Sequence, residues 1–318
     1  MMDLFYSDVC LQHYKQVEHP ESPIRVLEAI SFIRRNWNGK IVSEADIAEA
    51  EHWVKMVHCE KYIETFSSLC ESEHYPIDFC EAVMCGGTYD AALTAVGGAL
   101  ALIDRIEAGM AGSGYNLCRP PGHHCGYDRY RAFCYFNSAA VVACYLREKH
   151  GHSRVAIVDV DYHGGNGTQE LFFSDKEVLT VSLHGDPSFC YPYDSGYENE
   201  VGEGEAVGTN MNVCLPEECG DQEYLEKFRD VVVPAIRSFS PSFLIVSLGF
   251  DGHAEDPIGK FALSDAAYRT LFGLLRDMAN ECCAGKVLFT LEGGYNPAVI
   301  ANLSLNLLNV FSGYGGNS

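Results

Sequence analysis

The residues able to do chemistry in this chain gather in short clusters, the densest being Val155–Gly167, which reads VAIVDVDYHGGNG. Asp159, Asp161 and His163 alternate along it. A strand running through all three would send their side chains to one side. Two carboxylates and an imidazole converging beside an apolar run are costly unless something compensates the charge. A divalent metal ion is the simplest such group. Asp251 follows a second apolar run, Phe243–Phe250. With Asp161 and His163 it gives one nitrogen and two carboxylate ligands, which neutralise a dication and leave a position open for water or substrate. Zinc is the expected metal, and Fe(II) or Mn(II) would accept the same ligands. A lone Asp more often caps a turn; an Asp-x-His pair joined by a third Asp favours the metal.

Two further clusters supply groups for proton transfer. His123 and His124 follow Pro120-Pro121-Gly122. A neutral imidazole, with a pKa of about 6.5, is suited to deprotonating a metal-bound water. Each ring needs an acceptor on its second nitrogen, and Asp159 and Asn166 are the candidates. Such unequal partners would push the two pKa values apart and separate the roles. For either histidine taken singly, a structural role is an even alternative. Tyr295, in Glu292-Gly293-Gly294-Tyr295, can donate its phenol to an oxyanion, although a tyrosine in this setting is more often packing. Phe133, Phe189 and Tyr191 are candidate walls of a narrow channel, against the commoner core use of lone aromatics. No nucleophile has a fitting context. Ser182 and Ser247 lie inside strand-like runs without a GxSxG turn, and no phosphate-cradling glycine loop is present. A metal-activated water is favoured over covalent catalysis.

The elements that must position these groups show from Tyr115 onward. Strand-like runs at Tyr115–Cys118, Val155–Val160, Val178–Leu183, Phe243–Leu248 and Lys286–Leu291 alternate with helix-like runs at Ser138–Lys149, Gln222–Ser238 and Ser264–Ala279, the last with Ser264 as N-cap. This alternation predicts an α/β fold, a mostly parallel sheet with helices on both faces. Each strand-like run ends in a polar, aromatic or glycine cluster: RPPGHHCGY, DVDYHGGNG, SLHGD, LGFDGH and LEGGYN. In a parallel sheet these ends share one edge, where ligands of open α/β folds bind. Upstream, His19–Asn36 reads as a proline-containing loop feeding a helix from Ile24. Trp53–Leu69 and Thr88–Glu107 show helical spacing, with a polar loop, Glu71–Gly87, between them.

Composition narrows the function classes. The 318 residues are 47% hydrophobic and 21% charged, with no linker or repeat, which predicts one domain over residues 1–318. A net charge of −22 argues against a nucleic-acid surface. It suits a cationic partner such as a lysine-rich peptide or a polyamine, and serves solubility equally well. The 14 cysteines form no CxxC pair, and the N-terminus has no signal-peptide pattern. A reducing compartment is expected, the cytoplasm first and the nucleus second. Ala91–Ile103 is too short to span a membrane and reads as a buried helix.

Taken together, RPPGHHCGYDRYRAFCYFNSAA, IVDVDYHGGNGTQELF, VSLHGD, SLGFDGHAEDPIGKFALS and LEGGYN resemble the zinc-dependent histone deacetylase and acetylpolyamine amidohydrolase family. The likeness runs from the HPESPIR motif at His19 to about Leu308, in the family's order. It implies the arginase/deacetylase fold, a central sheet of about eight parallel strands flanked by helices. Position by position it implies one zinc ion on Asp161, His163 and Asp251, and an acid–base pair of His123 and His124, held by Asp159 and Asn166 respectively. Tyr295 would polarise the scissile carbonyl. Phe133 and Tyr191 would form the aromatic channel, with His184, Ile258 and Gly293 beside it. A structural potassium ion would sit at Asp159, Asp161, His163, Ser182 and Leu183. The implied reaction removes acetyl or other acyl groups from lysine side chains; an acetylpolyamine or other small acyl-amide substrate is the alternative. A catalytically silent acyl-lysine binder and an arginase-like dinuclear manganese enzyme are remoter rivals.

The sequence departs from the family pattern in places. Gly164 stands where a second histidine is usual, and Ala132 where glycine usually precedes the channel phenylalanine. Tyr295 is kept where some branches carry histidine. The wording of DVDYHGGNGTQ resembles the class II and bacterial branch. Glu71–Gly87 is too short for the insertion that builds a dimer in bacterial polyamine enzymes, and Ile258 stands where a polyamine-specific branch has a gatekeeping Glu. Both points tilt the expectation toward acyl-lysine peptides.

Overall fold

The computed structural model describes residues 1–14, 19–72 and 83–313. Its strands are β1 (Met2–Phe5), β2 (Ile41–Val42), β3 (Ser113–Asn116), β4 (Val155–Asp159), β5 (Val178–Gly185), β6 (Asn210–Leu215), β7 (Phe243–Leu248) and β8 (Val287–Leu291). They form one sheet, parallel at every pairing, in the order β2-β1-β3-β8-β7-β4-β5-β6. The helices are α1 (Ile24–Asn36), α2 (Ile47–Val57), α3 (Glu60–Glu71), α4 (Thr88–Glu107), α5 (Ser138–Glu148), α6 (Asn166–Phe172), α7 (Asp221–Lys227), α8 (Val233–Phe239), α9 (Asp265–Cys282) and α10 (Pro297–Ser312).

The unbroken apolar run of β4 follows from burial on both faces. Its side chains alternate: Val155 and Ile157 join the core built with α2, α3, α4 and α5, while Ala156 and Val158 join the core built with α1, α9 and α10. The expected α/β architecture is therefore present, with the C-terminal ends of β3, β4, β5, β7 and β8 on one edge. Ser264 caps α9 as expected, accepting from the Ala267 N–H. Among the described residues no helix is long and apolar enough to cross a membrane, and Ala91–Ile103 lies inside α4.

Several expectations need correction. Trp53–Leu69 is two helices, because His58 is drawn into the interior between them. Its Nδ1–H donates to the Gly126 carbonyl at 2.8 Å and its Nε2 accepts from the Asn137 N–H at 3.0 Å. Gln222–Ser238 is interrupted by a π turn at Phe228–Val232. The third strand begins two residues before Tyr115. β4 stops at Asp159, so Asp161 and His163 converge through a bend rather than along a strand. Residues 73–82 of the expected loop lie outside the described residues, and with them the stretch on which the missing insertion was judged. Strands β1, β2 and β6 and helix α6 are short and carry no strong pattern; α10, with Asn296 as N-cap, Pro297 opening it and apolar residues at helical spacing, is legible in the sequence and missing from the runs assigned above.

A buried ionic knot ties the N-terminal segment to the site edge. Glu21 is fully buried; its Oε1 accepts from Arg25 Nη1 and Arg119 Nε, both at 2.8 Å, and its Oε2 pairs with His13 Nε2 at 3.1 Å. Arg25 then donates from Nε to the Gly294 carbonyl and from Nη2 to the Glu292 carbonyl, each at 2.5 Å. Burial alone would raise the Glu21 pKa, but Arg119, His13 and Arg25 outweigh it and hold the carboxyl well below the usual range. Neutralising it would leave two buried guanidiniums unmatched. Glu21→Gln is expected to cost about 3–5 kcal/mol in urea unfolding. Because the folded carboxyl titrates below its unfolded range, its stabilising contribution is complete above about pH 5. The gap between wild type and variant therefore narrows as the pH falls below that.

Candidate active site

At the shared edge, ligand atoms of Asp161, His163 and Asp251 lie within 4.8 Å of one another. Both carboxylates are buried, at 1% and 0% exposure, and the charges facing them are imidazoles. His163 Nδ1 lies 3.2 Å from Asp161 Oδ1 and 2.9 Å from Asp251 Oδ2. Backbone donors orient the oxygens: Tyr162 N–H to Asp251 Oδ1 at 2.9 Å, and Gly293 N–H to Asp161 Oδ2 at 2.7 Å. A Cβ on Gly293 would stand 2.5 Å from Asp251 Oδ2, so only glycine lets β8 deliver that N–H. Burial and the neighbouring Asp161 charge push Asp251 up to about 7, against the pull of His163. Two buried carboxylates and one imidazole that need a cation fit a single zinc ion by donor chemistry.

The histidine pair has the partners expected of it. His123 Nδ1 is 2.9 Å from Asp159 Oδ2, His124 Nδ1 is 2.7 Å from Asn166 Oδ1, and the ring centroids are 3.9 Å apart. Asn166 opens α6, whose Gly167 and Thr168 N–H groups donate to the His123 carbonyl at 3.0 and 3.2 Å. Burial disfavours a charged ring at both positions. At His123 the Asp159 and Asp161 charges outweigh it and raise the pKa to about 10. At His124 burial is reinforced by His123 and His163, and the pKa falls well below the usual value. The rings are thus separated: carboxylates keep His123 charged, whereas the Asn166 bond does not offset burial and the neighbouring imidazoles at His124.

Tyr295 is fixed through its backbone, its N–H donating to Asp256 Oδ2 at 2.6 Å, and the Arg25 guanidinium lies 5.0 Å from its ring centroid. Asp256 Oδ1 also accepts the Ile258 N–H, which brings Ile258 beside this loop. Phe133 faces Tyr295 at 6.2 Å, and Tyr191 stands against His124 at 4.9 Å. Each aromatic thus borders a different chemical group, Phe133 the phenol of Tyr295 and Tyr191 the imidazole of His124. Phe189 instead packs against the hydrophobic core. His184 is also engaged elsewhere: it is fully buried, its Nδ1 accepts from the Ser182 hydroxyl at 2.7 Å and its Nε2–H donates to the Gly196 carbonyl at 2.8 Å. It supports the site edge and is not a channel wall. A Cβ on Gly164 would meet the His184 ring at 3.3 Å, a tight contact that a small shift could relieve, so the structure gives no explanation for that departure. Ser182 pairs with Asp159 across β5 and β4, and Leu183 follows it, so the expected potassium residues are neighbours.

The chain matches the histone deacetylase domain over residues 19–311. It belongs to the histone deacetylase family. Membership makes it a hydrolase of the deacetylase and amidohydrolase type. It is 34% identical to a histone deacetylase-like amidohydrolase of Pseudomonas aeruginosa, over 81% of this chain and 67% of that one. It is 37% identical to acetylpolyamine amidohydrolase 1 of the same organism, over 77% and 68%. The crystal structure of the HDA15 HD domain superposes with a TM-score of 0.88 at 32% identity, covering 98% of this chain and 88% of that one.

Residue reading missed three contributors: Arg25, Asp256 and Glu292. All three bind main-chain groups, and Arg25 pairs with the Glu21 carboxylate as well; the charge of Glu292 amid an apolar strand end is the signal that could have found it. The family's glycine before the channel phenylalanine also acquires a reason. Arg131 and Cys134 exchange backbone hydrogen bonds at 3.2 and 2.8 Å, closing a two-residue turn with φ of 41° at Ala132 and 67° at Phe133. Such a turn needs positive φ at both central positions. An alanine held there costs roughly 1–2 kcal/mol, offset by about 0.4–1 kcal/mol of unfolded-chain entropy that glycine would restore. Ala132→Gly is accordingly expected to stabilise by about 0.5–1 kcal/mol, read from the urea midpoint.

Proposed function

We propose that this protein is a zinc-dependent deacylase of lysine-type amines. The observation that carries this reading is the paired arrangement of His123–Asp159 and His124–Asn166 beside the Asp161–His163–Asp251 cluster. Asp161, His163 and Asp251 would hold one zinc ion, which when bound supplies Lewis acidity to a water and to the amide carbonyl. His124, which burial and the neighbouring imidazoles hold neutral, accepts the water's proton on Nε2, its tautomer fixed by Asn166 on Nδ1, and returns that proton to the departing amine. The Tyr295 phenol, which burial keeps well above its ordinary pKa and therefore protonated, donates to the oxyanion.

Phe133 and Tyr191 favour a slender, linear chain leading to the amide, as in an acyl-lysine. The net charge of −22 favours a cationic substrate framework. An acylated polyamine has the same chemistry, and the 37% identity to an acetylpolyamine amidohydrolase keeps it as the second reading. The neighbouring ends of β4 and β5 support a structural potassium ion at Asp159, Asp161, His163, Ser182 and Leu183 as part of the same proposal.

Purified protein should hydrolyse acetyl-lysine peptides faster than N-acetylputrescine or N-acetylspermidine. The reverse order would transfer the assignment to polyamines. Tyr295→Phe and His124→Ala should each lower turnover by about 100-fold or more; near-wild-type turnover in either sinks the mechanism. A chelator should abolish activity, with recovery at about one zinc per chain. Recovery that requires two metals would point to a dinuclear hydrolase instead.

A further inference from the structure

Glu292, at the exit of β8, has no role in the chemistry above. It is nevertheless buried against the histidine pair at 1% exposure. Its Oε2 accepts the Gly122 N–H at 2.6 Å and the His123 N–H at 3.1 Å, and its Oε1 accepts from the Thr290 hydroxyl at 3.2 Å. A carboxylate oxygen of Glu292, a ring nitrogen of His123 and the Cys134 thiol lie within 4.8 Å of one another. A carboxylate this enclosed needs donors for its oxygens, and at Oε2 those donors are two consecutive backbone N–H groups.

That backbone has little freedom of its own. A Cβ on Gly122 would stand 2.5 Å from the Phe136 carbonyl oxygen and 2.9 Å from the Ser138 nitrogen, so the peptide is wedged against the chain leading into α5. Two consecutive N–H groups buried in such a place need an acceptor, and one oxygen of Glu292 serves both. His123 is then fixed at three points. Its ring Nδ1 is held by Asp159, its carbonyl by the first turn of α6, and its N–H by Glu292. The first sets ring rotation; the other two set where the Cα stands.

We propose that Glu292 is a positioning residue for the acid–base pair, acting as a two-fold acceptor of reach and not as a proton carrier. The inference rests on the deacylase reading. What it requires is an acceptor oxygen at that spot. Glutamine keeps the reach and loses the charge, whereas aspartate keeps the charge and withdraws by one methylene.

The test compares Glu292→Gln, Glu292→Asp and Glu292→Ala in zinc-loaded enzyme on an acetyl-lysine peptide. The expected result is kcat within about threefold of wild type for Gln, and a fall of roughly 10- to 100-fold for Asp with KM changed by less than about threefold. Ala should follow Asp wherever it folds. Hydrogen–deuterium exchange over residues 119–126 should rise in Asp and Ala and stay at the wild-type level in Gln. An active Asp with an inactive Gln would overturn the proposal by showing that charge or proton transfer matters; unchanged exchange in Asp would overturn it as well. If wild type hydrolyses none of the acyl amides, the deacylase reading fails, and the exchange measurement still decides whether Glu292 holds this backbone.

Discussion

The arrangement depends on one electrostatic constraint: Asp161 and Asp251 are buried side by side at the ends of neighbouring strands. Like charges in a poorly solvated place repel, and each must keep its oxygens fixed if a cation is to draw them together. Much of the local sequence answers that need. Gly293 and Gly249 remove side chains from positions where a Cβ would meet the carboxylates. Backbone N–H groups of Tyr162 and Gly293 hold the oxygens in place. Imidazoles provide the facing charge, which makes the cluster sensitive to anything that moves a histidine.

The parts most readable from sequence were those set by side-chain type. Unbroken apolar runs marked the central strands because burial on both faces demands them, and the clusters at their ends held Asp161, His163, Asp251 and both histidines with their acceptors. What failed had a different physical origin. The break between α2 and α3 comes from a single buried histidine whose partners, Gly126 and Asn137, are far along the chain. The bend after Asp159 replaces a strand that alternation alone would have continued. His184 looked like a channel residue because of its motif, yet its ring is committed to Ser182 and Gly196. The His58 bonds are long-range, whereas the bend is lined by short side-chain bonds, Asp161 N–H to Asp159 Oδ1 and His163 N–H to Asp161 Oδ1; residue spacing alone records neither kind.

The same distinction explains why Arg25, Asp256 and Glu292 were missed. At the site they recognise mostly main-chain atoms, which every residue possesses, so those targets leave little mark on the sequence; the ion pair of Arg25 with Glu21, four residues earlier, is the exception. Ala132 shows the complementary case. Its departure from glycine was visible at once, but its meaning required the φ values of the turn that carries Phe133.

The loop leaving β8 is gripped at nearly every peptide: Glu292 N–H by Leu248, Gly293 N–H by Asp161, Tyr295 N–H by Asp256, and the carbonyls of Glu292 and Gly294 by Arg25. The rim differs. There Arg131 and Asp194 join the hairpin of Phe133 to the segment after Tyr191 by a two-pronged ion pair, in which Asp194 is well exposed to solvent. Exposed pairs of this kind contribute about 1 kcal/mol or less. Variation among descendants of such a fold is therefore channelled outward. The reaction centre resists insertion and drift because one change disturbs several anchors, while the rim can be remodelled at little energetic cost. New substrate preferences should arise there first, with the chemistry beneath inherited intact.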